Sequence, residues 1–181
     1  MQAPPDYVEV PLRDGRIVRV RPITAADGER LVRFHSTLSD RTIYQRYFAA
    51  HPRLTDSDVH RFTHVDHCDR EAYVATVDEE IVAVGRWDRI DETQAEVAFV
   101  ITDSYQRQGI GSLLFTLLAT AARGFGISEF VAEVLPQNRA MIRLFQVFGE
   151  AFTRVNEEGS TFITVRLPEF EPGGLNACEP D

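Results

Sequence analysis

The sequence predicts an α/β (α+β) fold in which one mixed, mostly antiparallel sheet of about six or seven strands is flanked by helices. Three strand patterns follow one another between residues 71 and 101, with turns short enough for an antiparallel meander. The third passes through a glycine-containing loop into a long apolar helix pattern, and a hairpin pattern covers residues 151–167. At 181 residues the chain has the size of one domain with its own core.

The first predicted strand covers residues 15–21, where apolar and charged side chains alternate after an Asp14-Gly15 turn. Pro22 ends this strand, because proline has no N–H to donate to a ladder. The predicted divisions of the chain are an N-terminal extension at 1–13, a folded domain at 14–167 and a flexible acidic tail at 168–181.

Three helical segments follow the first strand. The first begins at Thr24, with Asp27 as the acid of the capping pattern, and runs to about residue 36. The second covers about 41–48, and the third begins after Thr55. The side chains predicted to face the core are Leu31, Val32 and Phe34 in the first helix and Val59 and Phe62 in the third.

The rest of the domain alternates strands and helices. The predicted elements are strands at 71–77, 81–89 and 92–101, a helix at 109–123, a strand at 129–135, a helix from Asn138 to about Phe148, and strands at 151–155 and 160–167. The helix at 109–123 is apolar on most of its surface, which predicts that it is buried against the sheet. Gly124 and Gly149 follow the two helices as stop signals.

Charge and composition narrow the classes of function. The 19 basic and 28 acidic residues give a net charge of −9, which argues against a nucleic-acid partner and is compatible with a cationic substrate. No apolar run approaches the roughly 20 residues that span a bilayer, and the N-terminus lacks the pattern of a signal peptide. Two cysteines fit neither a framework of bridges nor a zinc cluster. The expected location is therefore the cytoplasm.

All 19 basic residues are arginines, and the chain contains no lysine. A GC-rich genome explains such a bias. The chain nevertheless cannot be acetylated on a lysine side chain of its own.

The loop at residues 106–111, Gln-Arg-Gln-Gly-Ile-Gly, joins the strand at 95–101 to the helix that follows. The first N–H groups of a helix have no internal partner, and the helix dipole adds partial positive charge at this end. Glycines let a phosphate approach the backbone, and Arg107 adds a full positive charge. No Asp or Glu occurs from 106 through 123. The loop is therefore predicted to bind an anion.

The spacing Gln-x-x-Gly-x-Gly in this loop resembles the pyrophosphate loop of the GNAT family of N-acetyltransferases. A second signature of that family resembles the helix Asn138-Arg139-Ala140-Met141-Ile142-Arg143-Leu144-Phe145. The order of elements from about residue 14 to 167 also resembles the GNAT fold, whose sheet is splayed between its fourth and fifth strands. The segments at 12–15, 20–23 and 61–66 are similar to the catalytic domain of bacterial Pat-type protein lysine acetyltransferases.

This resemblance implies acetyl-CoA as co-substrate, with no metal. The residues implied to bind it are Gln106, Arg107, Gln108, Gly109, Ile110 and Gly111 at the pyrophosphate, Phe99, Val100 and Ile101 along the pantetheine arm, and Asn138 and Arg143 on the other side. The backbone N–H of Val100 is expected to stabilise the oxyanion that forms from the thioester carbonyl. Free N–H and C=O groups on a splayed strand can pair with the pantetheine amides.

Glu96 is the expected general base, because a lysine amine with an unperturbed pKa of about 10.4 must lose a proton before it attacks a thioester. Strand alternation places Glu96, Ala98 and Val100 on one face. Phe145 occupies the position of the family's usual tyrosine acid, which leaves Tyr105, Ser104 or no residue in that role. CoA can leave as a thiolate with little help, since thiols have a pKa of about 8.5.

Two other sites are weaker alternatives. His60 and His64 are four residues apart and lie near His67 and Cys68, but the HExxH pattern and zinc spacing are missing. Acidic residues flank Cys68, which disfavours a catalytic thiolate.

Three functions remain open: a protein lysine acetyltransferase, a small-molecule amine N-acetyltransferase, and a catalytically silent acyl-CoA sensor. The expected partners are acetyl-CoA and an amine or a lysine-bearing protein, without nucleic acid or membrane. The chain is expected to be a monomer or a homodimer.

Overall fold

One open sheet of eight strands forms the centre of the structure. The computed structural model describes residues 7–51, 53–149, 151–155 and 160–168. The strands are β1 (Val8–Pro11), β2 (Ile17–Pro22), β3 (Arg70–Val77), β4 (Glu80–Arg89), β5 (Gln94–Ile101), β6 (Glu129–Val134), β7 (Ala151–Val155) and β8 (Thr161–Arg166). The helices are α1 (Gly28–Ser36), α2 (Asp40–Tyr47), α3 (Asp56–Thr63), α4 (Ile110–Gly124) and α5 (Arg139–Phe148). Short 3₁₀ turns precede α1 and follow β5.

The strand order is β1-β2-β3-β4-β5-β6-β8-β7. Every neighbouring pair is antiparallel except β5 and β6, which run parallel. The prediction of a mixed, mostly antiparallel sheet flanked by helices is therefore confirmed.

The predicted number of strands is one or two too low. Strand β1 lies within residues 1–13, which were expected to be an extension, and it pairs with β2 from Val8 opposite Val20 to Pro11 opposite Ile17. It is a four-residue edge strand that ends in proline, so its sequence offers little alternation. Apart from Pro168, the predicted acidic tail lies outside the described residues.

One residue of α1 lies on a different face from the one predicted. Leu31 and Phe34 are buried as expected, but Val32 is 45% exposed. Residues three and four apart share a helix face, so the buried stripe continues from Leu31 and Phe34 to His35, which is 3% exposed. The caps follow the prediction. The Asp27 carboxylate accepts the N–H of Thr24 at 2.9 Å, and Thr55 caps α3 by accepting the N–H of Asp58 at 3.1 Å.

Two cores lie on opposite faces of the sheet. Helices α4 and α5 cover one face, where Val97 and Phe99 of β5 are buried. Helices α1 to α3 cover the other face, where Val100 packs. The alternation predicted for β5 is confirmed.

Two glycines permit close packing. A Cβ on Gly149, after α5, would overlap the carbonyl oxygen of Arg166 in β8. A Cβ on Gly85, in β4, would lie 2.9 Å from Cδ1 of Phe99 and 3.0 Å from Cδ1 of Leu118 in α4. Both distances are shorter than normal carbon–carbon contacts. The missing side chain of Gly85 therefore allows the Phe99 ring and α4 to pack directly against the sheet.

We expect Gly85→Ala to lower the free energy of unfolding by about 1–3 kcal/mol, the usual cost of overpacking a core. Urea unfolding monitored by circular dichroism measures this change. Gly124→Ala is the matched control, because a Cβ at the end of α4 would meet no atom within 4 Å. Equal stability of the Gly85→Ala variant and the parent protein would contradict the close packing described for β4.

Candidate functional site

A cleft of about 930 Å³ lies beside β5. Its walls come from β5, the end of β6, the loop at residues 106–111, helix α2 and the first part of α5. Most of the site residues predicted from the sequence line this cleft: Glu96, Phe99, Val100, Ile101, Gln106, Arg107, Gly109, Gly111, Asn138 and Arg143. The side chains of the other two point elsewhere. Ile110 is buried in the core, and Gln108 donates to the carbonyl oxygen of Ser104 at 3.2 Å.

The cleft exists because β5 and β6 separate. Their parallel pairing extends only from Gln94 opposite Glu129 to Glu96 opposite Val131. Beyond that point β6 continues beside β8 as far as Val134, while β5 continues beside β4 to Ile101. One edge of β5 is therefore open from Val97 onward. This is the splay that the family resemblance implied. The predicted fourth and fifth strands are β5 and β6 here, because β1 was not among the predicted strands.

The register between β4 and β5 determines which backbone groups face the opening. The ladder is continuous from Ala83 opposite Ile101 to Arg89 opposite Ala95. Hydrogen bonds at its two ends show which residues of β5 bond to β4. The N–H of Ile90 donates to the carbonyl oxygen of Gln94, and the N–H of Thr102 donates to the carbonyl oxygen of Val82, both at 2.9 Å. In an antiparallel ladder every second residue bonds to the partner strand. The even-numbered residues of β5 bond to β4, and the odd-numbered residues point to the opening.

This alternation of hydrogen bonds corrects the expectation that the N–H of Val100 donates into the cleft. Its N–H and C=O face Val84 of β4 and are not available to a ligand in the cleft. The N–H of Phe99 and that of Ile101 point to the open edge instead. The carbonyl oxygen of Ile101 accepts the side-chain amide of Gln106 at 3.1 Å.

The loop at residues 106–111 has the backbone shape of an anion site. Arg107 has φ of 59° and Gly109 has φ of 92°, both in the left-handed region. Left-handed residues in such a turn aim successive N–H groups into one concavity. Gly109 is also the N-cap of α4, whose first turn carries no acid and, within the described part of the chain, no side-chain cap. The first N–H groups of α4 therefore remain available to an anion.

Helix α2 holds this loop in place through contacts that the sequence does not predict. The Asp103 carboxylate accepts hydrogen bonds from the hydroxyls of Ser39 at 2.9 Å and Thr42 at 3.1 Å. Burial alone would raise the pKa of Asp103, but the bonds from Ser39 and Thr42 hold it below its ordinary value. Asp103 thus remains ionised at neutral pH and ties the 3₁₀ turn that leads into the loop to α2.

Glu96 lies on the wall of the cleft where the splay begins. Its side chain is exposed, on the same face of β5 as Ala98 and opposite Asp88 of β4. A carboxylate in this position can accept a proton from a group that enters the cleft from the α2 side.

Helix α5 forms the opposite wall. Asn138 caps this helix by accepting the N–H of Met141 at 3.3 Å, as predicted. Phe145 is 1% exposed, and its ring lies 6.3 Å from that of Phe99 and 5.9 Å from that of Phe115. Phe145 thus holds the Phe99 side chain but carries no hydroxyl.

Tyr47 is a cleft residue that no sequence motif indicates. It ends α2, and among the described residues lining the cleft it is the only tyrosine. Burial raises the pKa of Tyr47, so its phenol stays protonated and can donate a hydrogen bond. Tyr105 does not line the cleft. Its hydroxyl accepts a hydrogen bond from Arg16, whose guanidinium lies 4.3 Å from the ring centroid.

The histidines of α3 and the loop after it do not converge on a metal site. His60 and His64 stack on each other with ring centroids 3.9 Å apart. Nδ1 of His67 lies 2.8 Å from the carboxylate of Glu71. Within the described residues, no group of three or more His, Cys, Asp or Glu side chains is arranged to hold a metal ion. No helix of this described part is long and apolar enough to span a bilayer.

Comparison with known proteins identifies relatives along nearly the whole chain. The profile of the acetyltransferase (GNAT) family matches residues 38–149. Acetyltransferase Pat of Mycolicibacterium smegmatis is 31% identical over 174 residues, which cover 91% of this chain and 52% of that protein. Acetyltransferase PA5475 of Pseudomonas aeruginosa is 30% identical over 161 residues, which cover 86% of each protein. The chain thus spans about half the length of the M. smegmatis relative.

A solved structure agrees with the sequence comparisons. The crystal structure of the GNAT domain of S. lividans PAT superposes with a TM-score of 0.83 at 42% identity. The match covers 92% of this chain and 100% of that domain.

Proposed function

We propose that this chain, which belongs to the acetyltransferase (GNAT) family, is an N-acetyltransferase that moves an acetyl group from acetyl-CoA to a lysine ε-amine of a protein. The observation that carries this proposal is the open edge of β5, which leads from Glu96 to the anion site at the start of α4. The end at α4 can bind a phosphate, and the end at Glu96 can accept a proton.

The co-substrate fits the chemistry of the cleft. The N–H groups of the loop at 106–111 and the first turn of α4 would hold the pyrophosphate. The odd-numbered groups of β5, at Phe99 and Ile101, would pair with the pantetheine amides as an added strand does. Asn138 and Arg143 would lie along the other side of the arm.

The N–H of Phe99 is the oxyanion donor in this proposal, in place of Val100. It points to the opening and follows Glu96 by three residues on the same strand. Because Gly85 and Phe145 pack against the Phe99 ring, this N–H is held in position before the reaction. Such preorganised donors are worth most where water is excluded.

Glu96 is the general base in this proposal. A protonated amine cannot attack the thioester carbon, so Glu96 takes a proton from it, directly or through one water. The neutral nitrogen then forms the new C–N bond, the C–S bond breaks, and the second proton of the nitrogen leaves to the departing thiolate or to water. The CoA thiolate needs little assistance because the pKa of a thiol is about 8.5. The phenol of Tyr47 can donate a hydrogen bond in the cleft, a role that the Phe145 side chain cannot fill.

The lysine acceptor is supported by similarity. The relatives named Pat are 31% and 42% identical to this chain over more than nine-tenths of its length. A small-molecule amine remains the second candidate, since the same cofactor loop serves both acceptors. A silent acyl-CoA sensor is the third, and the absence of a hydroxyl at Phe145 is the feature that favours it.

The test is to incubate the purified protein, carrying a lysine-free tag, with acetyl-CoA and a protein extract. CoA release and acetyl-lysine blotting are measured together. Because the chain contains no lysine, any new blot signal that depends on the added protein comes from a substrate protein. Matching signals support the proposal. CoA release without blot signal points to a small amine, and CoA binding without release identifies a sensor.

A further inference from the structure

A small chamber lies behind the acceptor side of the cleft. Its volume is about 30 Å³, and it is lined by residues of α1 to α3, of the adjoining loops and of the sheet. It shares four residues with the main cleft: Arg46, Tyr47, Ala98 and Val100. A volume of this size holds about two water-sized groups. The chamber therefore adjoins the place where an acceptor amine meets Glu96.

Arg86 of β4 is the charged residue buried at this chamber. It is 6% exposed, and its guanidinium lies 4.9 Å from the ring centroid of Phe62. Its Nε donates to the carboxylate of Asp88 at a long 3.4 Å. Its Nη2 is buried and has no hydrogen-bond partner among the described residues. A buried donor without a partner lowers the stability of the fold, which indicates that this guanidinium donates to an acceptor from outside the chain.

The sheet leaves room for that acceptor. The residues opposite Arg86 on the two neighbouring strands are both alanines, Ala72 on β3 and Ala98 on β5. Larger side chains at these positions would fill the space above the guanidinium. A second buried polar atom without a partner in the described chain, Nε2 of His35, belongs to the same lining.

The charge of the chamber favours an anion. Burial lowers the pKa of Arg86, and the positive charges of Arg46 and Arg61 lower it further, while Asp88 opposes them. The three guanidinium groups of Arg86, Arg46 and Arg61 act at this place against the carboxylates of Asp88 and Asp58. One further carboxylate, supplied by a ligand, would balance the remaining positive charge.

We propose that Arg86 binds a carboxylate of the acceptor, so that the preferred acceptor carries both an amine and a carboxylate. This inference rests on the proposed transferase function. Ala98, opposite Arg86, is two residues from Glu96 on the same face, a separation of roughly 7 Å along the strand. An amine at Glu96 and a carboxylate at Arg86 thus belong to one short molecule or to neighbouring side chains. The carboxylate comes from a free amino acid or from an acidic residue beside the acetylated lysine.

The test compares matched acceptors that differ only in this group. One pair is Nα-acetyl-lysine and its amide, and the other is a peptide with Glu or Gln beside its single lysine. We expect kcat/KM to be at least tenfold higher for the acid in one pair, through a lower KM. A preference in the first pair means that the carboxylate belongs to a free amino acid. A preference in the second pair means that it belongs to an acidic residue beside the lysine. Equal values for acid and amide in both pairs would overturn the inference.

Arg86→Met removes the charge and keeps much of the volume. We expect the preference for the acid to fall to about one, and the preference to be partly kept in Arg86→Lys. A merely structural role would lower both rates together and leave their ratio unchanged, which would overturn the inference. Arg53→Met provides the control, because Arg53 is exposed and lines neither the chamber nor the cleft. Thermal unfolding of Arg86→Met checks that the fold is intact, and we expect little change because the Asp88 side chain left without its partner is 33% exposed and stays hydrated.

A binding measurement separates this inference from the proposed function. Calorimetric titration of the four acceptors into the protein saturated with CoA requires no turnover. If no acceptor is acetylated but the acid binds more tightly than the amide, and only when Arg86 is present, the transferase proposal fails and the carboxylate site stands. If neither acid binds more tightly than its neutral partner, the chamber holds water only and the inference fails.

Discussion

Replacing Glu96 with glutamine is expected to lower kcat by about a few hundredfold, within the range for loss of a general base. The amide keeps the shape of the side chain but cannot take a proton from the amine. The dissociation constant for acetyl-CoA should change little, because the N–H groups that hold the co-substrate belong to other residues. Steady-state kinetics with acetyl-CoA and a lysine acceptor measure kcat, and titration calorimetry measures the dissociation constant.

The pH profile makes this test specific. As the pH rises toward the amine pKa of about 10.4, a growing fraction of the acceptor is already neutral and needs no base. The ratio of parent to variant kcat should therefore shrink with increasing pH. Glu92→Gln is the matched control, since Glu92 is an exposed acid in the turn before β5. An unchanged rate for the Glu96→Gln variant across all pH values would remove Glu96 from the mechanism.

The same measurement bears on the silent-sensor alternative. A sensor would bind CoA and show no turnover in the parent protein, so substitution of Glu96 would have no rate to reduce. Turnover that depends on Glu96 excludes this alternative. Its main support, the phenylalanine at position 145, would then be explained by packing against Phe99 and Phe115.

Local patterns predicted the parts of the fold that depend on neighbours in sequence. The Thr24 and Thr55 caps, the meander from β3 to β5 and the glycine loop at 106–111 each carry their signal within a few residues. Strand β1 was missed because four residues at an edge carry too little pattern. Val32 was misplaced because the prediction counted apolar residues in α1 without following the helical period.

The site was predicted less completely, because the direction in which backbone N–H and C=O groups point depends on the register with the partner strand. Alternation along β5 gave the correct face for the side chains of Glu96 and Phe99. It could not give the phase of the hydrogen bonds, which the register with β4 determines. Val100 was expected to donate into the cleft for that reason, although its N–H faces β4. Arg86 carries no local signal either, since it becomes notable only when β3, β5 and α3 surround it.

The anion site at the start of α4 gives the second large prediction. Gly111→Glu should weaken acetyl-CoA binding by about 100-fold or more, equivalent to about 2.7 kcal/mol. A carboxylate in the first turn of α4 would occupy the place expected for the pyrophosphate and repel its charge. Gly111 suits this test better than Gly109, whose φ of 92° would strain any other residue and mix a backbone effect with the charge effect.

Two control variants separate charge from size at the same position. Gly111→Ala should bind acetyl-CoA nearly as well as the parent, because its Cβ would lie 3.4 Å from Cδ1 of Ile101 and 3.6 Å from Cδ2 of Leu144, both ordinary contacts. Gly111→Gln adds the bulk of glutamate without its charge. A large loss with Glu and a small loss with Gln would identify a site for a negative group. Equal losses with both would mean that the cleft is only narrow there, and unchanged binding in all three variants would place the pyrophosphate elsewhere.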